Sequence, residues 1–152
     1  MIGGQVKERD LVLKNAWQID ENLVYDELAS MKTGRFGTPT ANLNDKFILV
    51  AGGQIGKNKF TNLCEIYDVQ TNKWVPIDSL KFARGNTSMC PVTNRYVFIF
   101  QGLAPSSAPS TNNAIEYIDF GNFDAPSVRS AKWDTITVQN QEFISSEPRG
   151  CS

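Results

Sequence analysis

A glycine pair ends an apolar run at Gly52-Gly53, and the same punctuation recurs at a fixed interval. Gly3-Gly4 stands 49 residues before it and Gln101-Gly102 stands 49 residues after it. An interval of that size defines a chain of stacked supersecondary units, a propeller or a solenoid. It also assigns many conspicuous residues to scaffolding, because a side chain that returns once per unit serves the unit.

The central copy shows the unit most fully. Phe47-Ile48-Leu49-Val50-Ala51 has the length of a strand and no alternation, as expected of a strand buried on both faces. After the glycines a loop is expected over Gln54 to Thr61, then a strand over Asn62 to Val69. Gln70 to Lys73 reads as a turn, since Thr and Asn side chains hydrogen-bond nearby backbone. Trp74-Val75-Pro76-Ile77 is an outer strand, where a proline removes no ladder donor. The next unit opens on a small-residue strand, Gly85 to Val92, turns at Thr93-Asn94-Arg95, and continues into Tyr96-Val97-Phe98-Ile99-Phe100. Each unit thus has four strands: a small-residue one, an all-apolar one, an alternating one and an edge strand.

The other copies align with it. Trp17 to Asp20 matches the Tyr67-Asp68 strand, Tyr25 falls where Trp74 stands, and Met31 and Arg35 match Leu80 and Arg84. Ile115 to Asp119 matches Cys64 to Asp68, and Trp133 matches Trp74. Arg149-Gly150 repeats Arg84-Gly85. The third copy carries two insertions, a Pro/Ser-rich one at Ala104 to Ser110 and another at Phe120 to Lys132. Insertions of this kind are expected in loops, often on a binding face.

Composition removes several chemistries. There is no histidine, so Ser-His-Asp and Cys-His mechanisms are excluded as written, and the commonest ligand of zinc, copper and iron is missing. The three cysteines, Cys64, Cys90 and Cys151, have no CxxC spacing and read as buried free thiols. A net charge of -1 gives no footprint for nucleic acid or an anionic membrane, and no apolar run reaches the length of a membrane span. Neither a cofactor nor a metal is expected, and the start of the chain lacks the pattern of a signal peptide. A cytoplasmic location is the corresponding expectation, with cytoskeletal or large-assembly association as a variant.

The glycine pair, Tyr67-Asp68, Trp74, and Arg84 ahead of a small-residue strand together resemble the kelch repeat. The resemblance covers nearly the whole chain. It implies an all-β fold, a partial kelch-type β-propeller of four-stranded antiparallel blades. The copies depart from the pattern at Gln101, in place of the first glycine, and at Tyr25, in place of Trp. Blade boundaries are expected at 35–80 and 84–139, with an incomplete blade at 1–31 and the start of another, or a tail, at 140–152. Closed propellers have about 4–8 blades, so the ring is expected to be open. A longer chain, a second copy or a different protein would complete it, and the isolated chain is not expected to be a stable monomer.

The resemblance also implies a protein–protein interaction module, an adaptor or scaffold. Arg35, Arg84 and Arg149 enter each innermost strand, where they either meet acidic partner groups or tie blades together. Asn86 stands two residues past Arg84, at the position of Gly37, and is a candidate partner contact. Gln54, Lys57, Asn58 and Lys59, in the loop after the glycine pair, are further candidates, and the unlike loop Leu103 to Asn113 would vary specificity. Glu65 with Asp68, and Glu116 with Asp119, have the form of paired carboxylates, but their recurrence favours structural roles over acid–base catalysis. The alternative is a propeller enzyme or sugar-binding protein that uses carboxylates and arginines, without histidine or copper.

Overall fold

Three antiparallel sheets follow one another along the chain in the computed structural model, which describes residues 2–6, 11–105 and 114–136. The central sheet has the order β4 (Thr40–Leu43), β5 (Phe47–Ala51), β8 (Cys64–Asp68), β9 (Lys73–Ile77). The third repeats it as β10 (Ser88–Val92), β11 (Tyr96–Phe100), β12 (Ile115–Asp119), β13 (Trp133–Ile136). The first contains β1 (Ile2–Val6), β2 (Leu11–Ile19) and β3 (Tyr25–Leu28). This is the expected all-β architecture of a partial propeller with four-stranded blades. The apolar runs form β5 and β11 with the bounds read from the sequence, and Pro76 lies on the outermost strand, β9.

Strand pairing confirms the alignment of the copies. Tyr67 faces Trp74, Ile118 faces Trp133 and Ile19 faces Tyr25, so the three aromatic edge positions are equivalent. The aspartate after each of these third-strand residues caps the following turn. Asp68 Oδ1 accepts from the amides of Gln70 and Thr71, Asp20 Oδ1 from Asn22 and Val24, and Asp119 Oδ1 from Gly121.

The blades stack on alternating faces of the middle strands. Ile48 and Val50 pack with Ala16, Met31, Tyr67 and Trp74 between the first and second sheets. Leu49, Phe47 and Ile66 face the other way, into a cluster with Val97, Ile99, Ile118 and Trp133 of the third. Two-sided burial explains why these strands do not alternate in sequence.

Two sequence expectations need correction. The stretch Gln54 to Thr61 is no irregular loop. It folds as a hairpin of β6 (Gln54–Gly56) and β7 (Lys59–Phe60), with Asn58 left-handed at the turn (φ +54°). Gln5 pairs with Val12 in the first sheet as Gln54 pairs with Phe60, so the hairpin belongs to the repeat. The second insertion, Phe120 to Lys132, is no solvent loop either. It contains α1 (Ala125–Ser130), capped by Asp124, and buries Phe123 and Val128 in the core between the second and third sheets. An insertion with its own apolar face serves stacking. Of the other insertion, only Ala104 and Pro105 lie within the described residues.

Candidate partner-binding face

Each glycine corner is tied to the next strand entry by a buried arginine. Arg35 Nη1 donates to the carbonyls of Gly52 (2.8 Å) and Leu63 (2.7 Å), and Nη2 donates to Glu65 Oε1 (2.7 Å). Arg84 repeats this 49 residues on, with the carbonyls of Gln101 and Ala114 and with Glu116 Oε1 (2.8 Å). Both guanidinium groups have no exposed surface. The glutamates also hold the crossover between blades. Glu65 accepts from the amides of Lys32 and Thr33, and Glu116 from that of Lys81.

These contacts decide between the two roles set out for the arginines. Arg35 and Arg84 tie each blade to its incoming crossover and offer nothing to a partner, because every accessible direction is filled by protein. They are corrected from partner contacts to scaffold. Arg149 lies outside the described residues. The carboxylate pairs separate in the same way: Glu65 and Glu116 grip arginine and crossover, while Asp68 and Asp119 cap turns. Burial lowers the Arg84 pKa against the pull of Glu116, and burial raises that of Glu116 against the Lys81 amide and Arg84. Cys64 lies beside Trp133, and burial pushes its thiol up to about 12, which removes it as a nucleophile. Cys90 is exposed on β10, contrary to the expected burial, and Cys151 lies outside the described residues.

The remaining candidates are accessible. Asn86 is exposed and left-handed (φ +49°), and its amide donates to the carbonyl of Gly37 in the neighbouring blade at 2.7 Å. Gly37 has the matching conformation (φ +55°), so the two mark equivalent corners of adjacent innermost strands. A β-carbon on Gly37 would lie 2.1 Å from Asn86 Oδ1, so the asparagine side chain occupies that space. Gln54 is half-buried, and its backbone pairs with Phe36 through Gln54 N to Phe36 O (2.8 Å) and Phe36 N to Gln54 O (3.0 Å). Gly85 and Leu103 form the same bridge in the next blade. Lys57, Asn58 and Lys59 are exposed at the hairpin tip, beside exposed Ile55.

The structure therefore brings Gln54, Lys57, Asn58 and Lys59 onto one hairpin, fixed at its base to the strand entry that leads on to Gly37. Leu103, 55% exposed, takes the place of Gln54 in the third blade. Sequence reading missed the hairpin because strands of two and three residues carry no periodicity. The glutamine that follows the glycine pair in both copies, Gln5 and Gln54, was the available signal.

A family model described as the kelch motif matches residues 45–81, the stretch that spans β5, the hairpin, β8 and β9. Over those residues the chain is similar to a kelch motif. The arginine–glutamate tie recurs in the third sheet and the glycine corner in the first, so the same internal repeat runs through all three sheets. No curated protein matches the sequence. Among the described residues no group of His, Cys, Asp or Glu is placed to hold a metal ion, and no helix is long and apolar enough to cross a membrane.

Proposed function

We propose that this chain is a protein–protein interaction module, an adaptor or scaffold whose partner docks on the hairpin face. The supporting observation is the division of labour among repeated residues. Those that could do chemistry, Arg35, Arg84, Glu65 and Glu116, are consumed inside the blades, whereas the tip of the second sheet's hairpin, Lys57 to Lys59, is exposed and differs in sequence from the matching stretches of the other copies. A rigid sheet carrying variable tips is the arrangement by which repeat folds acquire specificity. Lys57 and Lys59, flanking the left-handed Asn58, make the tip of the second blade cationic and suit an acidic segment of a partner. Asn86 and the backbone corner at Gly37 extend this surface toward the innermost strands.

The test is affinity capture and proximity labelling with the chain and with a Lys57→Glu/Lys59→Glu variant. The partner set captured by the unaltered chain is expected to shrink for the variant, with stability unchanged to within about 0.5 kcal/mol because both positions are exposed. Equal capture by both proteins would remove the hairpin from the binding surface.

A further inference from the structure

We propose that the cleft beside Asp68, between Phe47 of the second sheet and Phe123 of the inserted segment, is a docking site for an arginine side chain of a partner protein. The third sheet shows the same arrangement already filled from within. There Arg95, just before β11, forks onto the aspartate that ends β12. Its Nε donates to Asp119 Oδ1 (2.8 Å) and its Nη2 to Asp119 Oδ2 (2.7 Å). The guanidinium lies over the Tyr96 ring, 4.9 Å from the centroid. Aspartate, guanidinium and ring form one set.

Forty-nine residues earlier the set is incomplete. Phe47 takes the place of Tyr96, and Lys46 that of Arg95. Asp68 pairs with Phe47 as Asp119 pairs with Tyr96. The Lys46 carbonyl accepts the Val69 amide as the Arg95 carbonyl accepts that of Phe120, so the positions are equivalent. Lys46 nevertheless forms no ion pair with Asp68. Asp68 Oδ1 caps its turn, whereas Oδ2 has no hydrogen-bond partner among the described residues. The residue is only 8% exposed, and a carboxylate oxygen so enclosed gains most from a donor that reaches it.

Space for that donor is present. A cavity of about 460 Å³ opens beside Asp68, a volume typical of ligand pockets. Phe47, Phe123 and Val69 supply apolar walls, and Phe123 comes from the insertion that the other copies lack. Asp45 and Asp124 join Asp68 in the lining, so three aspartates face the single Lys46. Among the described residues no group is placed to hold a metal ion, which leaves an extended cation as the better fit. A guanidinium is planar, weakly hydrated, and able to stack on a ring while it forks onto a carboxylate. Val69, 46% exposed, continues the surface for an apolar neighbour of that arginine. The cleft lies at the end of β5 and β8 remote from the hairpin, so this inference goes beyond the proposed partner surface and does not depend on it.

Selection of short displayed peptides on the 152-residue chain tests it, followed by fluorescence titration of the strongest binder. The recovered peptides are expected to share an arginine beside an apolar residue. Replacing that arginine by neutral citrulline is expected to weaken binding by about tenfold or more, as is Asp68→Asn, which keeps the turn cap and removes the charge. Lys46→Arg leaves the net charge unaltered but rebuilds the third-sheet pair, and is expected to block the site to the same degree. Lys57→Glu/Lys59→Glu is expected to bind the peptide as the unaltered chain does. If circular dichroism shows Asp68→Asn unfolded, Lys46→Arg decides the outcome. No recovered peptide, peptides without arginine, equal binding of the citrulline form, or undiminished binding by Lys46→Arg would overturn the proposal.

Discussion

At the scale of single residues, the repeat is maintained by positions that require a left-handed backbone, filled by Gly3 and Gly52 and, in the third copy, by Gln101 (φ +52°). Gly52 has φ +62°, and a β-carbon there would sit 2.4 Å from the carbonyl oxygen of Arg84. Gly3 faces the carbonyl oxygen of Arg35 at 2.2 Å in the same conformation, so the glycine pair marks where one blade's corner meets the next strand entry. Gly37 differs in kind: its obstruction is the end of the Asn86 side chain, which can rotate away. Gly37→Ala is therefore expected to cost about 1–2 kcal/mol, the left-handed backbone penalty alone. Gly52→Ala is expected to cost more, because backbone has to move as well. Urea unfolding of the two variants checks this order, and equal losses would contradict it.

Among elements, α1 shows how an insertion becomes part of the core. Asp124 caps the helix by accepting the Ser127 amide at 2.8 Å, and Phe123 meets Phe120 edge-on with centroids 5.6 Å apart. The insertion therefore covers the junction between the second and third sheets. Phe123→Ala is expected to destabilise by about 3–5 kcal/mol, as for other buried aromatic truncations. Asp124→Ala is expected to cost about 0.5–2 kcal/mol through loss of the cap. Thermal unfolding monitored by near-UV dichroism distinguishes the two, and a Phe123→Ala loss no larger than that of Asp124→Ala would place the helix outside the core. The strands themselves were legible because an unbroken five-residue apolar run bounded by glycine has few alternatives. The hairpin and the helix were not, since the first is too short for periodicity and the second lies in a segment with no counterpart in the other copies.

For the whole molecule, stability against acid follows from a few carboxylates of opposite sign. The Arg95 guanidinium holds Asp119 below its ordinary range, and the Ser127 amide does the same for Asp124. Partial burial acts upward on Asp78, but the Trp133 amide and Lys132 outweigh it and leave it lowered too. Groups lowered in the folded state contribute stability above their unfolded pKa and lose it as pH falls through the folded value. Glu116 is raised by burial and acts in the opposite direction, favouring the folded chain once protonated. Unfolding free energy is expected to fall below about pH 4, where free aspartates titrate. Asp119→Asn should flatten that fall and Glu116→Gln should steepen it. Denaturant titrations between neutral and acid pH measure both slopes, and unchanged slopes would detach these groups from the acid response. The sequence by itself determined the period, the strand order within a blade and the all-β class, because a glycine corner recurring every 49 residues, followed each time by an aspartate and an aromatic edge position in the same order, admits one kind of unit. Only the tertiary structure decided what the charged residues do. Arginine, glutamate and lysine are equally polar along a chain, and stacking alone determines which are enclosed between backbone carbonyls, as Arg35 and Arg84 are, and which stand free at a hairpin tip, as Lys57 and Lys59 do.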